Sequence, residues 1–463
     1  LRTENGYRVI VKGAPDLILQ RCTAAKSGGQ TLPLSGDLRG RILARNAEMA
    51  RDALRVLAVA EKQTDALPGS DDEAENGLTF LGLIGLEDPP RPEAKQAVLE
   101  CRAAGIRPVM ITGDQPSTAA AIAGRLGIDA EKVTTGAELE AMSDEKLLAS
   151  VKTCSVFARV SPAHKLRIVK AFRRLRLVTA MTGDGVNDAP ALKAADIGCA
   201  MGRSGTEVAK NAADMVLTDD NFATIVSAVR EGRTVYRNIR KTIHFLMSCN
   251  VGEILVVLTA FLMHAPAPLL PAQLLWVNLV TDSLPALALG GDPPQDDVMQ
   301  APPNPQDNTV FSNGLGFSMA VEGMMIGALS LLAFSAGRAL FDTDPASPVV
   351  GRTMAFAVLS LSQLVHSFNM RSAKPVLGRG MLKNRWLNLS FLVCTALMIG
   401  VIVFPPAAAL FGTAALTLPQ WGIVAALSLM PLALCEIEKR FLGGRRDDAA
   451  EKKPARRIFR RRA

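Results

Sequence analysis

The sequence predicts an α/β domain built on a parallel sheet, followed by a bundle of six membrane-spanning helices. Three observations predict this division. Short apolar runs alternate with helical stretches as far as Lys241, and several apolar segments of about 20 residues follow, each long enough to cross a bilayer. The mean hydropathy of +0.20 coexists with 52 basic and 44 acidic residues in a chain of 463. Such a chain is too apolar to be wholly soluble and too charged to consist of membrane spans alone.

The first half alternates predicted strands with predicted helices. Leu78–Leu86 and Arg107–Ile111 are predicted to be buried strands, and Pro92–Ala104 between them is predicted to be a helix that begins with proline and ends before Gly105. The alternation continues in four further apolar runs, at Ser155–Ala158, Leu177–Met181, Ile197–Met201 and Met215–Leu217. Strands that alternate with helices favour a parallel sheet, in which chemistry is placed at the carboxyl ends of the strands.

The second half contains six predicted spans, at residues 242–263, 272–290, 315–336, 353–370, 386–405 and 419–438. The link between the fourth and fifth spans is rich in Lys and Arg, whereas 264–271 and 405–419 contain neither. All three tryptophans lie near predicted span ends. Because positive charge favours the cytoplasmic side, we expect a multi-pass protein, of the plasma membrane, whose soluble half and C-terminal tail are cytoplasmic.

The net charge of +8 is concentrated in the tail. Residues 439–463 carry 11 Lys and Arg against 3 Asp and Glu, which leaves the preceding residues neutral overall. A basic segment after a span indicates contact with an anionic leaflet, so no nucleic acid is expected as a partner. The seven cysteines are scattered without a Cys-x-x-Cys motif, which argues against a disulfide framework or thiolate metal site. The chain starts with Leu1 and shows no leader, and we expect it to be part of a longer protein.

The segment Met181–Pro190 (MTGDGVNDAP) is the most informative motif. A strand runs into Gly183 and Gly185, whose flexibility allows a sharp turn that gathers Asp184, Asn187 and Asp188 at the strand tip. Such a group of oxygen ligands suits Mg²⁺ shared with a substrate phosphate. An alternative remains, because Asp-Gly and Asn-Asp pairs are ordinary turn formers.

Two other strand ends carry chemistry of the same kind. Met110–Asp114 (MITGD) offers the Thr112 hydroxyl and the adjacent amides to phosphoryl oxygens at the start of the next helix. Lys165 opens a helix after a third strand, where its ammonium could neutralise charge on a transferred phosphoryl group. An exposed surface lysine is the alternative, and taken alone the residue favours it. Three strand ends that together supply hydroxyl, ammonium and carboxylates favour phosphoryl transfer.

These motifs resemble the ordered motifs of P-type ATPases, specifically of the calcium-pump-like type. The matching strings are Asp88–Glu93 (DPPRPE), Thr112-Gly113-Asp114, Lys165 and Thr182–Pro190. The resemblance implies a Rossmann-type, haloacid-dehalogenase-like α/β domain, preceded by a remnant of a nucleotide-binding domain and followed by the six-helix transmembrane bundle. It divides the chain into residues 1–76, 77–229, a stalk at 230–241, a membrane domain at 242–438 and a basic tail at 439–463.

The resemblance also implies roles for individual residues. Asp184 and Asp188 are expected to bind Mg²⁺ with support from Asn187, while Thr112, Gly113, Asp114 and Lys165 are expected to surround the phosphoryl group. Lys12 and Arg55 are expected to contact ATP, and Asp88 to lie at a hinge near the nucleotide. Asp16 stands where the family usually has Glu.

Two family motifs do not occur in the sequence. The family phosphorylates the aspartate of Asp-Lys-Thr-Gly-Thr and dephosphorylates it through Thr-Gly-Glu, and neither string is present. Both precede Leu1 in the family order. We therefore expect an N-terminal half, with the actuator domain and the first four spans, as a missing partner, and we expect the isolated chain to form no phosphoenzyme.

Polar residues within the first two predicted spans suggest a path for an ion. Asn250 and Glu253 share one helix face, and Asn278, Thr281 and Asp282 share another. Pro285 is expected to interrupt the second helix and free nearby carbonyls. Five oxygen-bearing side chains favour a hard cation such as Ca²⁺. Hydrogen bonding between helices is the alternative role for such residues.

The strings SCNVGE and WVNLVTDSLPALALG resemble the fifth and sixth spans of endoplasmic-reticulum-type calcium pumps. Gln363 stands where two-site calcium pumps have Glu, which resembles the plasma-membrane type and implies one Ca²⁺ per cycle. Glu322 could exchange protons or simply face the bundle. His366 is expected to cap or pack near a span end, because no second His or Cys is at ligand spacing.

The function expected from the sequence is ATP-driven cation transport, most simply of Ca²⁺, through an aspartyl-phosphate cycle with ATP and Mg²⁺ as cofactors. Two alternatives remain open. One is the same class of pump acting on Mn²⁺, Na⁺ or K⁺. The other is a truncated, non-catalytic protein that binds nucleotide or a membrane partner.

Overall fold

The computed structural model describes residues 1–3, 6–51, 54–86, 89–294, 297–303, 309, 311–312, 314–344, 346–372 and 382–452. The chain forms two compact units. The first comprises residues 1–228 with 299–306, and the second comprises residues 229–298 with 307–463.

The first unit begins with a six-stranded, mostly antiparallel sheet. Its strands are β1 (Arg2–Thr3), β2 (Gly6–Gly13), β3 (Cys22–Ser27), β4 (Gln30–Pro33), β5 (Arg55–Thr64) and β6 (Leu78–Leu86), in the spatial order β1-β2-β5-β6-β3-β4. Three helices belong to the same region, α1 (Pro15–Gln20), α2 (Gly36–Arg51) and α3 (Asp71–Glu75). Ile18, Leu19, Leu78 and Phe80 form part of its buried core.

The predicted strand Leu78–Leu86 has the predicted bounds, but its predicted place in the parallel sheet was wrong. It pairs antiparallel with β5 and parallel with β3 in the first sheet. A short apolar run identifies a buried strand, but it carries no information on the direction of its neighbours. The boundary drawn at residue 76 therefore separates this strand from the sheet to which it belongs.

The rest of the first unit alternates strands and helices as predicted. The elements are α4 (Pro92–Ala103), β7 (Met110–Ile111), α5 (Pro116–Leu126), β8 (Val133–Thr135), α6 (Gly136–Ala141), α7 (Asp144–Thr153), β9 (Val156–Ala158), α8 (Pro162–Arg174), β10 (Ala180–Gly183), α9 (Ala189–Ala194), β11 (Ile197–Met201), α10 (Glu207–Ala212) and β12 (Met215–Leu217). They form two parallel sheets of three strands, in the orders β7-β9-β8 and β10-β11-β12. The predicted parallel α/β architecture is confirmed.

The bounds differ where apolar sequence extends beyond paired backbone. The run at Arg107–Ile111 is paired only at Met110–Ile111, and the run at Leu177–Met181 becomes a strand at Ala180–Gly183. Helix α4 ends at Ala103, and Gly105 follows with a φ of +71°, a conformation that glycine adopts without a Cβ clash.

The second unit is helical. It contains most of α11 (Phe222–Leu262), then α12 (Pro271–Trp276), a π-helical segment (Val277–Thr281), α13 (Ser283–Gly290), α14 (Leu315–Leu340), α15 (Val349–Asn369), α16 (Arg385–Val403), α17 (Pro405–Phe411) and α18 (Leu418–Lys452). Among the described residues six helical segments are long and apolar enough to cross a membrane, as predicted. Helix α15 is buried along most of its length and forms the centre of the bundle.

Candidate functional site

The predicted nucleotide contacts lie on the first sheet or outside the described residues. Lys12 is exposed on β2, and its strand pairs antiparallel with β5, which begins at Arg55. Gly13 is opposite Ala58, so the end of β2 that carries Lys12 lies beside the beginning of β5. The Arg55 side chain and Asp88 lie outside the described part of the chain.

The tip of β7 is tied to the segment that follows β9. The Thr112 hydroxyl donates to Oδ2 of Asp114 at 2.7 Å, and the Asp114 amide donates to the Thr112 hydroxyl oxygen at 3.1 Å. The amides of Val160 and Arg159 donate to the backbone oxygens of Thr112 and Asp114, at 3.2 and 3.0 Å. These bonds fix the TGD turn beside the chain that leads into helix α8.

Helix α8 delivers Lys165 to the second TGD motif. Its N-terminus is capped by Ser161, whose hydroxyl accepts from the His164 amide, while Nδ1 of His164 accepts from the Ser161 amide. One residue further, Nζ of Lys165 donates to Oδ1 of Asp188 at 2.6 Å. Asp188 is only 5% exposed, so this is a largely buried ion pair and not an exposed surface lysine.

The carboxylates of the MTGDGVND motif lie in two different environments. Asp188 is buried and also accepts from the Gly185 amide at 3.4 Å, whereas Asp184 and Asn187 are exposed at the strand tip. The exposed pair is free to face a solvent-borne ion and a phosphate, while Asp188 is held by Lys165. This donor set of carboxylate and amide oxygens fits Mg²⁺. The described residues contain no group of three or more His, Cys, Asp or Glu side chains arranged to hold a metal, so a Mg²⁺ ion here would need oxygens from phosphate and water.

Gly183 is required by packing at this turn. A Cβ at Gly183 would lie 2.5 Å from Cβ of Asp188, a distance that real side chains do not show. At the sister motif a Cβ at Gly113 would meet nothing within 4 Å. The glycine of the TGD motif is therefore tightly packed in one motif and has open space around it in the other.

In the second unit, which we call the membrane unit, Glu253 of α11 meets two amides from other segments. Nδ2 of Asn278, in the π-helical segment, donates to Oε2 of Glu253 at 2.7 Å, and Nε2 of Gln363, in α15, lies 3.5 Å from Oε1. Glu253 is 6% exposed and Gln363 is fully buried, while Asn278 is exposed. Three residues predicted from sequence, up to 110 positions apart, thus form one polar cluster, which we call the cation-site cluster.

Asp282 contributes buried oxygens that lack a strong donor. It is 1% exposed, and neither carboxylate oxygen has a geometric hydrogen-bond partner; the thiol of Cys249, a weak donor, is its polar neighbour on α11. The side-chain oxygen of Gln363 is also buried without a partner. Oxygen atoms left unpaired in an apolar bundle are costly, and a bound cation would satisfy them.

The structure does not bring the other two predicted ligands into this hydrogen-bonded group. Nδ2 of Asn250 donates to the Leu246 backbone oxygen at 2.9 Å, and the Thr281 hydroxyl donates to the Val277 backbone oxygen at 2.9 Å. Both side chains therefore bond to their own helix, as polar side chains in membrane helices often do.

The interruption predicted at Pro285 lies earlier in the second spanning helix. Pro285 lies inside α13, and the irregularity is a π-helical turn at Val277–Thr281, one turn earlier. Proline lacks an amide hydrogen and its ring crowds the carbonyl four residues before it, here that of Thr281. The wider π-helical turn just before Asp282 makes room for the proline ring, and Asn278 lies within this turn.

Sequence reasoning missed a buried hub at Asp292. Its carboxylate accepts from Nζ of Lys241 at 2.8 Å, Nε of Arg371 at 3.0 Å and Nδ2 of Asn384 at 3.0 Å. These partners come from α11, the end of α15 and the start of α16, so the hub joins three helices at one end of the bundle. The available signal was an acidic residue directly after a span, followed by two prolines.

The parallel α/β fold with paired TGD turns, in a chain with six candidate membrane spans, defines the class as a membrane protein with a haloacid dehalogenase-like domain. Residues 167–229 match the family described as haloacid dehalogenase-like hydrolase. Residues 1–93 match P-type ATPase, cytoplasmic domain N, and residues 266–441 match cation transporting ATPase, C-terminus. The chain belongs to the P-type ATPase family, and it is a multi-pass membrane protein.

Similar proteins carry the name of one kind of pump. The chain is 47% identical over 451 residues to calcium-transporting ATPase 1 of Bacillus cereus, an alignment that covers 94% of the chain and 51% of that protein. It is 46% identical over 429 residues to the calcium-transporting ATPase of Bacillus subtilis, covering 92% and 48%. With calcium-transporting ATPase 1 of Lactococcus lactis the identity is 39% over 450 residues, covering 95% and 50%. The chain spans about half the length of the curated relatives it matches.

Proposed function

We propose that the chain is the ion-binding and phosphoryl-handling part of an ATP-driven pump that transports Ca²⁺. The observation that carries this proposal is the cation-site cluster, in which Glu253 is joined by Asn278 and Gln363 while buried oxygens of Asp282 and Gln363 lack partners. Carboxylate and amide oxygens suit a hard cation. The names of the similar proteins support Ca²⁺ as that cation.

The first unit, which we call the soluble unit, is proposed to carry out phosphoryl transfer with Mg²⁺ and ATP. Lys165 follows β9 and bonds to Asp188 after β10, which places the ends of the two parallel sheets side by side. Strands β7 and β10, which carry the two TGD turns, are edge strands of these sheets. We infer that an upstream segment supplies the phosphorylated aspartate between them. Thr112 and Lys165 would then contact its phosphoryl group, and Asp184 with Asn187 would face Mg²⁺.

The remaining assignments from the sequence stand as part of this proposal. The six-stranded sheet would be the remnant of a nucleotide-binding domain, with Lys12 and Arg55 facing ATP and Asp88 at the hinge. The soluble unit and the basic tail would lie in the cytoplasm, and the bundle in the plasma membrane. Binding of ATP on one side and of Ca²⁺ within the bundle would each favour one of two arrangements of the pump.

Asp282→Asn in the intact pump tests the transported cation and its site. The substitution keeps the shape of the side chain and removes one negative charge. We expect Ca²⁺ affinity, measured by equilibrium binding of ⁴⁵Ca to inverted vesicles, to fall on the order of a hundredfold, equivalent to about 2.7 kcal/mol. Asp344→Asn, which alters a loop carboxylate that caps the Ala346 amide, is the matched control and should bind as the wild type does. Unchanged affinity in Asp282→Asn would show that the cation binds elsewhere.

The neutral Gln363 predicts a single transported Ca²⁺ per cycle. The test is the ratio of bound ⁴⁵Ca to phosphorylated aspartate in the intact pump, which should be close to one. A ratio near two would contradict the prediction. Stimulation of ATP hydrolysis by Ca²⁺, Mn²⁺, Na⁺ and K⁺ added separately decides which ion the cluster selects, and we expect Ca²⁺ to give the strongest stimulation.

A further inference from the structure

A second polar cluster lies in the membrane unit, formed by His244 of α11, Glu322 of α14 and His366 of α15. Nε2 of His244 lies 2.6 Å from Oε2 of Glu322, and Nε2 of His366 lies 3.4 Å from the same oxygen. The Ser248 hydroxyl donates to this oxygen at 3.3 Å. One carboxylate oxygen is therefore contacted from two neighbouring helices. We call His244, Glu322 and His366 the His–Glu–His cluster.

The sequence suggested that His366 has no metal-ligating neighbour, and the fold places two ionisable groups next to it. His366 is fully buried and Glu322 is 7% exposed. Both imidazole contacts have ion-pair distances without good hydrogen-bond geometry. An uncompensated carboxylate charge in an apolar bundle is costly, so a proton on Glu322 or on either imidazole would stabilise the buried cluster.

The net charge of the His–Glu–His cluster depends on how many protons it binds. With both imidazoles neutral and Glu322 ionised, its net charge is −1. A single proton makes it neutral, whichever of the three groups carries that proton, and a second would give +1. Because a neutral cluster is the cheapest to bury, the cluster has room for one proton.

Other titratable groups lie on the helices that form the cluster or pack against it, among them Lys241, which lies one turn before His244 and donates to Asp292. On α18, Sγ of Cys435 lies 3.8 Å from Nδ1 of His366, and Nζ of Lys439 donates to the backbone oxygen of Asn369 at 2.8 Å. Glu436 lies on the same turn of α18 and has the opposite charge to Lys439. The uncharged amide of Asn369 also lies near His366, with its Nδ2 3.5 Å from Nδ1 of the imidazole. On α11, the neutral Ser248 and Cys249 separate the cluster from the cation-site cluster.

Two helices connect the His–Glu–His cluster to the cation-site cluster. Ser248, which bonds to Glu322, precedes Glu253 by five residues on α11, or about 7.5 Å of helix rise. His366 follows Gln363 by three residues on α15. Taking this rise as a separation of about 8 Å, a divalent cation at an effective dielectric constant of about 20 would weaken proton binding on the order of a thousandfold.

We propose that the His–Glu–His cluster is a proton-binding site, separate from the cation ligands, whose single proton is expelled when the cation binds. The proposal rests on the proposed function of the cation-site cluster. In the step, an N–H or O–H bond of the cluster breaks, the electron pair stays on the nitrogen or oxygen, and the proton passes to water. The cluster changes from net charge zero to −1 and so helps to balance the charge of the bound ion.

The test is the pH dependence of ⁴⁵Ca binding to the intact pump without ATP. By linkage, each proton released on binding makes affinity rise up to tenfold per pH unit. Over the pH range in which the wild-type affinity changes, Glu322→Gln should reduce this slope by up to one proton. Ser330→Ala, which removes a buried hydroxyl of the same helix that bonds to the Ile326 backbone oxygen, should leave the slope unchanged. A uniform loss of affinity with an unchanged slope would make Glu322 a structural residue and overturn the proposal.

A second variant and a second readout cover the case in which Glu322→Gln does not fold. His244→Gln removes the closer imidazole and should move the pH range of the cluster, whereas an unmoved profile refutes the proposal. A pH indicator in weak buffer should also report one fewer proton released per Ca²⁺ in Glu322→Gln than in the wild type. If the wild-type pump binds no Ca²⁺ at any pH, the proposed function itself fails. Retained binding with identical proton release in every variant overturns only the present inference.

Discussion

Gly183→Ala is expected to destabilise the sheet β10-β11-β12 through a single added methyl group. That group would lie 2.5 Å from Cβ and 2.8 Å from Cγ of Asp188. These atoms cannot move aside cheaply, because Asp188 is buried and paired with Lys165 at 2.6 Å. Overpacking of this kind costs about 1–3 kcal/mol, which corresponds to a population of opened sheet about 5- to 150-fold larger.

Cys199 reports this opening. It lies on β11 opposite Thr182 of β10 and is fully buried, and its burial raises the pKa of the thiol to about 11. A protonated, covered thiol reacts slowly, so labelling by a thiol reagent measures the opened state. Pulse labelling of the whole chain, followed by mass spectrometry of the peptide that contains Cys199, should show a rate about 5- to 150-fold higher in Gly183→Ala.

Gly113→Ala is the matched control, because it changes the same letter of the sister TGD motif. A Cβ there meets nothing within 4 Å, so labelling of Cys199 should stay within about twofold of the wild-type rate. Wild-type labelling in Gly183→Ala, or equal acceleration in both variants, would refute the packing argument.

Three further predictions follow from the soluble unit. Lys165→Met leaves the buried Asp188 carboxylate without its cation and should cost about 2 kcal/mol of stability, measured by the same labelling in urea; an unchanged urea profile would contradict it. Asp220 accepts from the amides of Arg203 and Ser204, and these bonds lower its pKa to about 2. The ionised Asp220 carboxylate therefore stabilises the fold fully above its ordinary pKa of 3.8, and this stabilisation is lost as the pH falls towards 2. The difference in unfolding midpoint between the wild type and Asp220→Asn should narrow on acidification. A difference that stays constant with pH would refute this prediction. The isolated chain should form no acid-stable phosphoenzyme with labelled ATP, and a labelled band on an acid gel would prove otherwise.

Features set by local sequence could be predicted well. The strands at Ile197–Met201 and Met215–Leu217 have the predicted bounds, and the six apolar segments form helices. Local pattern was less informative where partners are distant. Leu78–Leu86 was assigned to the wrong sheet because an apolar strand fits either one. The effect of Pro285 was placed at the proline, although the backbone responds one turn earlier, at the π-helical segment.

The candidate site shows the same division. Lys165 and Asp188 were both predicted to be functional, but only the packing of α8 against the turn after β10 makes them an ion pair. Asn250 was expected beside Glu253 because the two share a helix face, and it bonds to its own backbone instead. Spacing along a helix defines a face, but it does not define the rotamer that the neighbouring helices allow.

Local sequence was enough to predict where apolar spans replace the alternating strands and helices, and which short motifs carry oxygen, hydroxyl and ammonium groups. Hydropathy and periodicity are properties of short sequence windows, so they can be evaluated without knowledge of the fold. The packing of the helices was needed to show that Gln363 contacts Glu253, 110 positions away, and that His244 and His366 both contact Glu322. Those contacts depend on how the helices pack. An unpaired buried charge costs free energy, and the neighbouring helices supply the polar groups that can pair with it.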